Sequence, residues 1–268
     1  MDPTTTVIIG RGRVGRGLYR LLRRQPGVWR LSEGRHSARR AIGAADVVVL
    51  AVPDPAIREV AERITPWLRP RSCVLHCAGS RTAEELVACR AAGAAVGAMH
   101  PLASFADPAH PPDLRAATFV ISGDRKAIAA ARRIARGVGA RPLAIALHGP
   151  AYHALAAMIA GGSVGFVHAT IPVLEGLGLA RRDAERAAAG LIASVAQNIA
   201  RMGLPGALTG PVIRGDAGTV AAHRDALRAL SPEVIRAYDA VAPLVLGCAL
   251  EAGLDPAAAA RIRAALEK

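Results

Sequence analysis

The run Thr6-Val7-Ile8-Ile9-Gly10-Arg11-Gly12-Arg13-Val14-Gly15 constrains the chain more than any other stretch. A short β-branched strand empties into Gly-x-Gly-x-x-Gly, and an apolar helical pattern (Leu18, Leu21, Leu22) follows at once. In a strand–turn–helix each glycine has a task. Gly10 permits the tight turn, Gly12 lets the backbone approach a pyrophosphate, and Gly15 lets helix and strand pack closely. Arg13 and Val14 complete the turn, and the helix N-terminus then presents unpaired N–H groups to phosphate. Nucleotide binding at this turn is the expectation, ahead of a plain βα connection.

The next 130 residues or so alternate strand and helix signals, which marks an α/β fold, a doubly wound parallel sheet of the Rossmann kind. Strands are expected at 6–10, 28–32, 46–52, 73–77, 94–98, 118–122 and 141–147, with helices at 14–24, 55–67, 83–92 and 125–138. The run Val47-Val48-Val49-Leu50 is apolar throughout, as a central strand covered on both faces requires. It ends in Val52-Pro53-Asp54, at the sheet edge where ligands of open α/β sheets bind. Beyond His148 strand signals stop, and alanine- and leucine-rich helices are expected at 151–177, 181–201, 219–230, 232–252 and 256–266. The reading is two domains, a nucleotide-binding half over 1–148 and an all-helical half over 149–268.

The 268 residues suffice for two domains. The formal charge of +13 invites a nucleic-acid reading, but its arginines are scattered along the chain without one basic block or interleaved aromatics. No nucleic-acid partner is expected. Cys73, Cys77, Cys89 and Cys248 lack Cys-x-x-Cys spacing, and residues 1–6 are short and polar for a secretory leader, so free thiols in a reducing cytoplasm are expected. Residues 142–174 contain no Asp, Glu, Lys or Arg, a length that resembles a membrane span. Their histidines, Gly161-Gly162 and Pro172 point instead to a helix buried in a domain or dimer, with no membrane involved.

The residues after the second strand bear on the nicotinamide cofactor. Glu33 is spaced to bind the free ribose hydroxyl of NAD, whereas Gly34-Arg35-His36-Ser37 reads as a phosphate-binding loop. Arg35 and Ser37 are the candidates for a 2′-phosphate, which favours NADP over NAD. Three clusters place histidines at element ends: Leu75-His76-Cys77-Ala78-Gly79-Ser80, Met99-His100-Pro101-Leu102-Ala103-Ser104, and Gly149-Pro150-Ala151-Tyr152-His153. A histidine beside a nicotinamide can protonate a carbonyl or imine as hydride arrives. His100 is the first candidate; His76 and His153 divide evenly between chemistry and structure. No metal motif such as His-Glu-x-x-His occurs, so no metal is expected. A buried Cys77 is expected to be inert.

Taken together, these motifs resemble a family of Rossmann-like proteins whose helical C-terminal domain is of unknown function (the DUF2520 type). The stretches that carry the resemblance are the Gly10–Gly15 turn, Val52-Pro53-Asp54, 76–80, His100-Pro101-Leu102 with Ser104-Phe105, Tyr152-His153, and Thr209-Gly210-Pro211 with Arg214-Gly215-Asp216, Thr219 and His223. The plan is similar to that of pyrroline-5-carboxylate reductase, ketopantoate reductase and the β-hydroxyacid dehydrogenases. The resemblance implies hydride transfer from NAD(P)H and a homodimer formed through the helical domain. It departs at Ala160-Gly161-Gly162, where relatives carry Ser-Asn, and the first long helix lacks the lysine of the β-hydroxyacid dehydrogenases.

The resulting expectation is an NADPH-dependent oxidoreductase of a small carbonyl or imine bearing a carboxylate. Gly10, Gly12, Arg13, Val14, Gly15, Arg35, Ser37, Val52, Pro53, Asp54 and Gly79 would hold the cofactor. His100 and His153 would act on the substrate, with Ser104, Arg214 and Asp216 binding it. For Arg214 and Asp216 an internal pair that shapes the loop is an equal alternative. The other activities weighed are ketopantoate-like and pyrroline-carboxylate-like reduction. The rival of another class is a non-catalytic NAD(P)-binding sensor or interaction protein.

Overall fold

The computed structural model describes residues 4–23, 28–30 and 35–267; the side chains of 28–30 and 35–37 lie outside that description. The chain divides into two compact units, Met1–Ala160 and Gly161–Lys268.

In the first unit, seven strands form one sheet: β1 (Thr6–Ile9), β2 (Val28–Arg30), β3 (Val47–Leu50), β4 (Cys73–His76), β5 (Ala95–Leu102), β6 (Thr118–Gly123) and β7 (Arg141–Ala144). Their spatial order is β2-β1-β3-β4-β5-β6-β7. The helices are α1 (Arg13–Leu22), α2 (Arg35–Ala44), α3 (Ile57–Ile64), α4 (Val87–Ala91) and α5 (Arg125–Gly137). Because side chains alternate along a strand, Ile8, Val49 and Leu75 face Leu18 and Leu22 of α1 and Ala131 and Ile134 of α5. Val7, Val48, Leu50 and Val74 face the other way, onto Ile42 of α2 and Ile57, Val60 and Ile64 of α3. The sheet is therefore covered on both faces, as its unbroken apolar strands require.

The strand order reverses direction between β1 and β3, since β2 lies on one side of β1 and β3 on the other. A doubly wound sheet opens a crevice at such a point, beyond the carboxyl ends of its strands. One expectation fails here. The sheet is not wholly parallel, because β6 runs antiparallel to β5, with His100 opposite Val120. Residues 103–117 contain no helix, and a parallel return needs a long crossover, usually helical. β5 is also longer than expected. It runs through His100 and Pro101 to Leu102, so His100 lies inside a strand and not beyond its end.

The second unit contains the rest of α6 (Pro150–Gly176), which begins in the first, together with α7 (Arg181–Met202), α8 (Ala217–Leu230), α9 (Pro232–Glu251) and α10 (Pro256–Glu267). Val220, Leu246 and Ile262 form the core among α8, α9 and α10. Arg224, 8% exposed, ties the three together: its guanidinium donates to both Asp239 carboxylate oxygens at 2.7 and 3.0 Å and to the Ala265 carbonyl at 3.1 Å. Of the two settings expected for α6, inside a domain or inside a dimer, burial within the chain is not found. Ile171 is its one buried residue among those described, while Leu155, Met158 and Val164 are largely exposed. By length and composition α6 is apolar enough to cross a membrane.

Candidate active site

The glycine turn is built as its sequence requires. Gly10 has φ +136°, and a Cβ there would come within 2.1 Å of the Ala51 carbonyl oxygen at the end of β3. A Cβ on Gly15 would lie 2.3 Å from the Gly10 carbonyl oxygen. Gly12 differs. It is the N-cap residue of α1 with ordinary extended geometry, and a Cβ there would meet nothing within 4 Å. The space above Gly12 is open, no side chain caps α1, and its first turn holds no acid. Uncapped helix N–H groups facing open space form an anion cradle.

That space continues into a cavity of about 970 Å³ at the strand reversal. Gly10, Gly12, Arg13 and Val14 line it from the turn after β1, and Val52, Pro53 and Asp54 from the edge after β3. Cys77 and Ala78 line it beyond β4, and its surroundings push the Cys77 thiol up to about 12, so this cysteine stays protonated. The cavity also reaches Ala38 and Ile42 on α2 and Val60, Ile64, Arg63 and Trp67 on α3 and the turn after it. These last residues were missed at the sequence level. Their signal is present, since 60, 63, 64 and 67 share one helical face. The residues fit a dinucleotide: an open phosphate cradle, arginines in the lining, and apolar walls from Ile42, Val60, Ile64 and Trp67 suited to a base.

Arg35 and Ser37 fall in the first turn of α2, not in a loop; their side chains lie outside the described residues, as does all of Glu33. Asp54 accepts a hydrogen bond from the Ser80 hydroxyl, which joins the edge after β3 to the loop after β4.

Beyond Ala78, a histidine cluster gathers around Gly79. A Cβ on Gly79 would fall 2.8 Å from His100 Cε1 and 2.8 Å from His153 Nδ1, so a glycine there lets both rings approach. The Gly149 N–H donates to the Gly79 carbonyl at 3.1 Å, which pins the start of α6 to this loop. His100 Nδ1 lies 2.8 Å from the Tyr152 hydroxyl, and the His100 and His153 ring centroids are 5.6 Å apart. His148 Nδ1 pairs with the Ser122 hydroxyl at 2.9 Å. His76 is not available for chemistry. It is fully buried, accepts the Ala78 N–H at Nδ1 (3.2 Å) and donates from Nε2 to the Thr82 carbonyl (2.9 Å). It shapes the loop that carries Gly79.

Burial, reinforced by the neighbouring His153, pushes His100 down to about 4. Burial, then the nearby His76 and His100, pushes His148 down to about 4 as well. Ser104 is exposed just past β5. In the second unit, Asp216 is the N-cap of α8 and accepts from the Thr219 N–H at 3.0 Å and the Thr219 hydroxyl at 2.6 Å. Arg214 is exposed. Among the described residues no group of three or more side chains is arranged to hold a metal.

Residues 117–244 match the domain of unknown function DUF2520. The matched region starts at β6, inside the sheet, and ends in α9. No curated protein matches the chain. The protein TM1727 of Thermotoga maritima is 24% identical with a TM-score of 0.69, the match covering 92% of this chain and 99% of that one. A Plasmodium falciparum pyrroline carboxylate reductase with NADP bound has a TM-score of 0.58 at 12% identity, covering 100% and 97%. The pyrroline-5-carboxylate reductase of Coxiella burnetii has a TM-score of 0.55 at 18% identity, covering 93% and 98%. At these identities the likeness is one of fold. The chain has a Rossmann-type fold, and residues 117–244 of it match the DUF2520 region.

The two outer glycines are steric and the middle one is not. Gly10→Ala is expected to cost about 2 kcal/mol or more in chemical denaturation, from backbone strain and a clash with backbone. Gly12→Ala should stay within about 0.5 kcal/mol of the parent while weakening dinucleotide binding by about tenfold or more. A second expectation concerns pH. Both His100 and His148 have folded values below their ordinary one, so under acid the unfolded chain binds protons that the folded chain refuses. Stability should fall as pH drops from about 6.5 toward about 4, measured by denaturant titration at several pH values, and His148→Gln should flatten that slope.

Proposed function

We propose that the protein is an NADPH-dependent oxidoreductase that reduces a small carbonyl or imine substrate bearing a carboxylate. The observation that carries this reading is one continuous layout. An open phosphate cradle at Gly12 leads through the cavity to Ala78, and the next residue, Gly79, lies against both His100 and His153. The turn from Gly10 to Gly15 binds the pyrophosphate, with Arg13 and Val14 closing over it. Arg35 and Ser37 take the 2′-phosphate, and Val52, Pro53 and Asp54 border the path toward the nicotinamide. The bound cofactor supplies the hydride. His100 supplies the proton from a site poor in water, and His153 orients the substrate. Ser104 holds its carboxylate, and within the helical unit Asp216 caps α8 beside Arg214.

The apolar faces of α6 and α7 support a homodimer through the helical region. Leu155, Met158 and Val164 on α6, and Leu191 and Val195 on α7, are exposed in the single chain. Apolar surface on this scale marks an interaction site, and a second copy covers it in our reading. The four free thiols suit a cytoplasmic setting.

His100→Ala tests the site. Loss of one general acid is worth about a hundredfold or more, so turnover of a reducible carbonyl or imine should fall at least tenfold while NADPH affinity holds. Unchanged turnover would remove His100 from the mechanism. A protein that binds NADPH but oxidises it with no carbonyl or imine would be the non-catalytic sensor, a reading favoured by the absence of lysine from α6.

A further inference from the structure

The reductase reading leaves two substrate classes, and the pair formed by Tyr152 and His100 distinguishes them. The Tyr152 hydroxyl and His100 Nδ1 are 2.8 Å apart, with the rings edge to face at 5.5 Å between centroids. A neutral imidazole has one donor nitrogen and one acceptor nitrogen, and its tautomer is set by its partners. Phenol is the stronger acid of the two groups and imidazole nitrogen the stronger base, so the hydrogen lies on the phenol and points to Nδ1. A ring that accepts at Nδ1 carries its own hydrogen on Nε2. Among the described residues Nε2 of His100 has no hydrogen-bond partner, and it is not one of the buried polar atoms left unpaired. It is the open corner of the ring.

Resting on the reductase reading, we infer that Tyr152 fixes His100 as a hydrogen-bond donor through Nε2, and that the group reduced is therefore a carbonyl, aldehyde or keto, and not an imine. Both groups are neutral at working pH, since burial pushes His100 down to about 4 and Tyr152 up to about 12. An N–H donor suits a carbonyl oxygen, which accepts, and suits the alkoxide that hydride addition creates. An imine takes hydride as the protonated iminium. Its N–H would face the N–H of His100, and the amine product needs no proton.

The Asp54 carboxylate is the group that would favour a cation here. It is engaged by the Ser80 hydroxyl, and its pull on His100 is smaller than the effects of burial and of His153.

The step balances. Hydride from the reduced nicotinamide adds to the carbonyl carbon, and the π pair moves onto oxygen. The Nε2–H bond of His100 breaks as the new O–H bond forms. His100 Nδ1 takes the phenolic proton, so the ring stays neutral as Nε2 loses its own; after product leaves, Nδ1 returns that proton to Tyr152 and solvent restores the hydrogen on Nε2. Tyr152 is thus a positioning residue that also keeps the ring neutral through the transfer.

The test combines a spectrum with kinetics. Long-range proton–nitrogen spectra of ¹⁵N-histidine protein at neutral pH, assigned with His100→Gln, should show His100 as the Nε2–H tautomer. Tyr152→Phe should convert it to a mixture. With NADPH, a panel of small aldehydes, keto acids and cyclic imines should give turnover on carbonyls. Tyr152→Phe should lower kcat by about tenfold or more with NADPH affinity unchanged. Imines reduced faster than every carbonyl would overturn this inference and leave the reductase reading standing. Failure to bind NADPH would remove the reading itself. If NADPH binds without turnover, the spectrum decides: an Nδ1–H tautomer in the parent protein overturns the assignment.

Discussion

The contact of Gly10 with the Ala51 carbonyl is the point on which the first unit turns. No side chain could occupy that gap, and because it is closed the turn after β1 and the end of β3 share one rim. From that rim α1 departs with its N-terminus uncapped, and the segment from Val52 to Asp54 departs on the other side. The crevice between them is a consequence of strand order, and the glycine spacing makes it habitable for phosphate. Positive charge at Arg11 and Arg13 then adds a field of the right sign at the mouth.

A second close approach organises the histidine cluster. Gly79 does for the two histidines what Gly10 does for the two strands, leaving a gap that lets His100 of β5 and His153 of α6 meet. The loop that carries it is braced twice, by the hydrogen bonds of His76 and by the Gly149 N–H. Two buried ring nitrogens in this neighbourhood, His148 Nε2 and His153 Nδ1, have no hydrogen-bond partner among the described residues. Unpaired buried polar atoms are costly, a cost in keeping with the proposed role of this cluster. Low folded values for His100 and His148 express the same dry surroundings.

Much of this was legible in the sequence because it depends on local rules. The strand–glycine–helix run and the apolar run of β3 each follow from side-chain size and period, and they occur where expected. The helix α2 was not anticipated: Arg35–Ala44 carries three arginines and a glycine, and Ile42 alone anchors it in the core. Direction was also illegible, because the reversal of β6 depends on what residues 103–117 do not contain. His76 and His100 looked alike as strand-end histidines. What separates them is tertiary, namely two backbone partners for one ring and a tyrosine for the other. Whether α6 is covered within the chain or between chains could not be read, because an uncharged run reads equally well as the core of a chain or as a face between chains.

The most direct measurement of this account is a titration of the purified protein with NADPH and with NADH, followed by nicotinamide fluorescence. The cradle and cavity predict saturable binding of nicotinamide nucleotide in the micromolar range, one site per chain, and the role proposed for Arg35 and Ser37 predicts that NADH binds much more weakly than NADPH. Binding of neither nucleotide would contradict the account and leave a Rossmann-shaped protein whose crevice serves some other ligand.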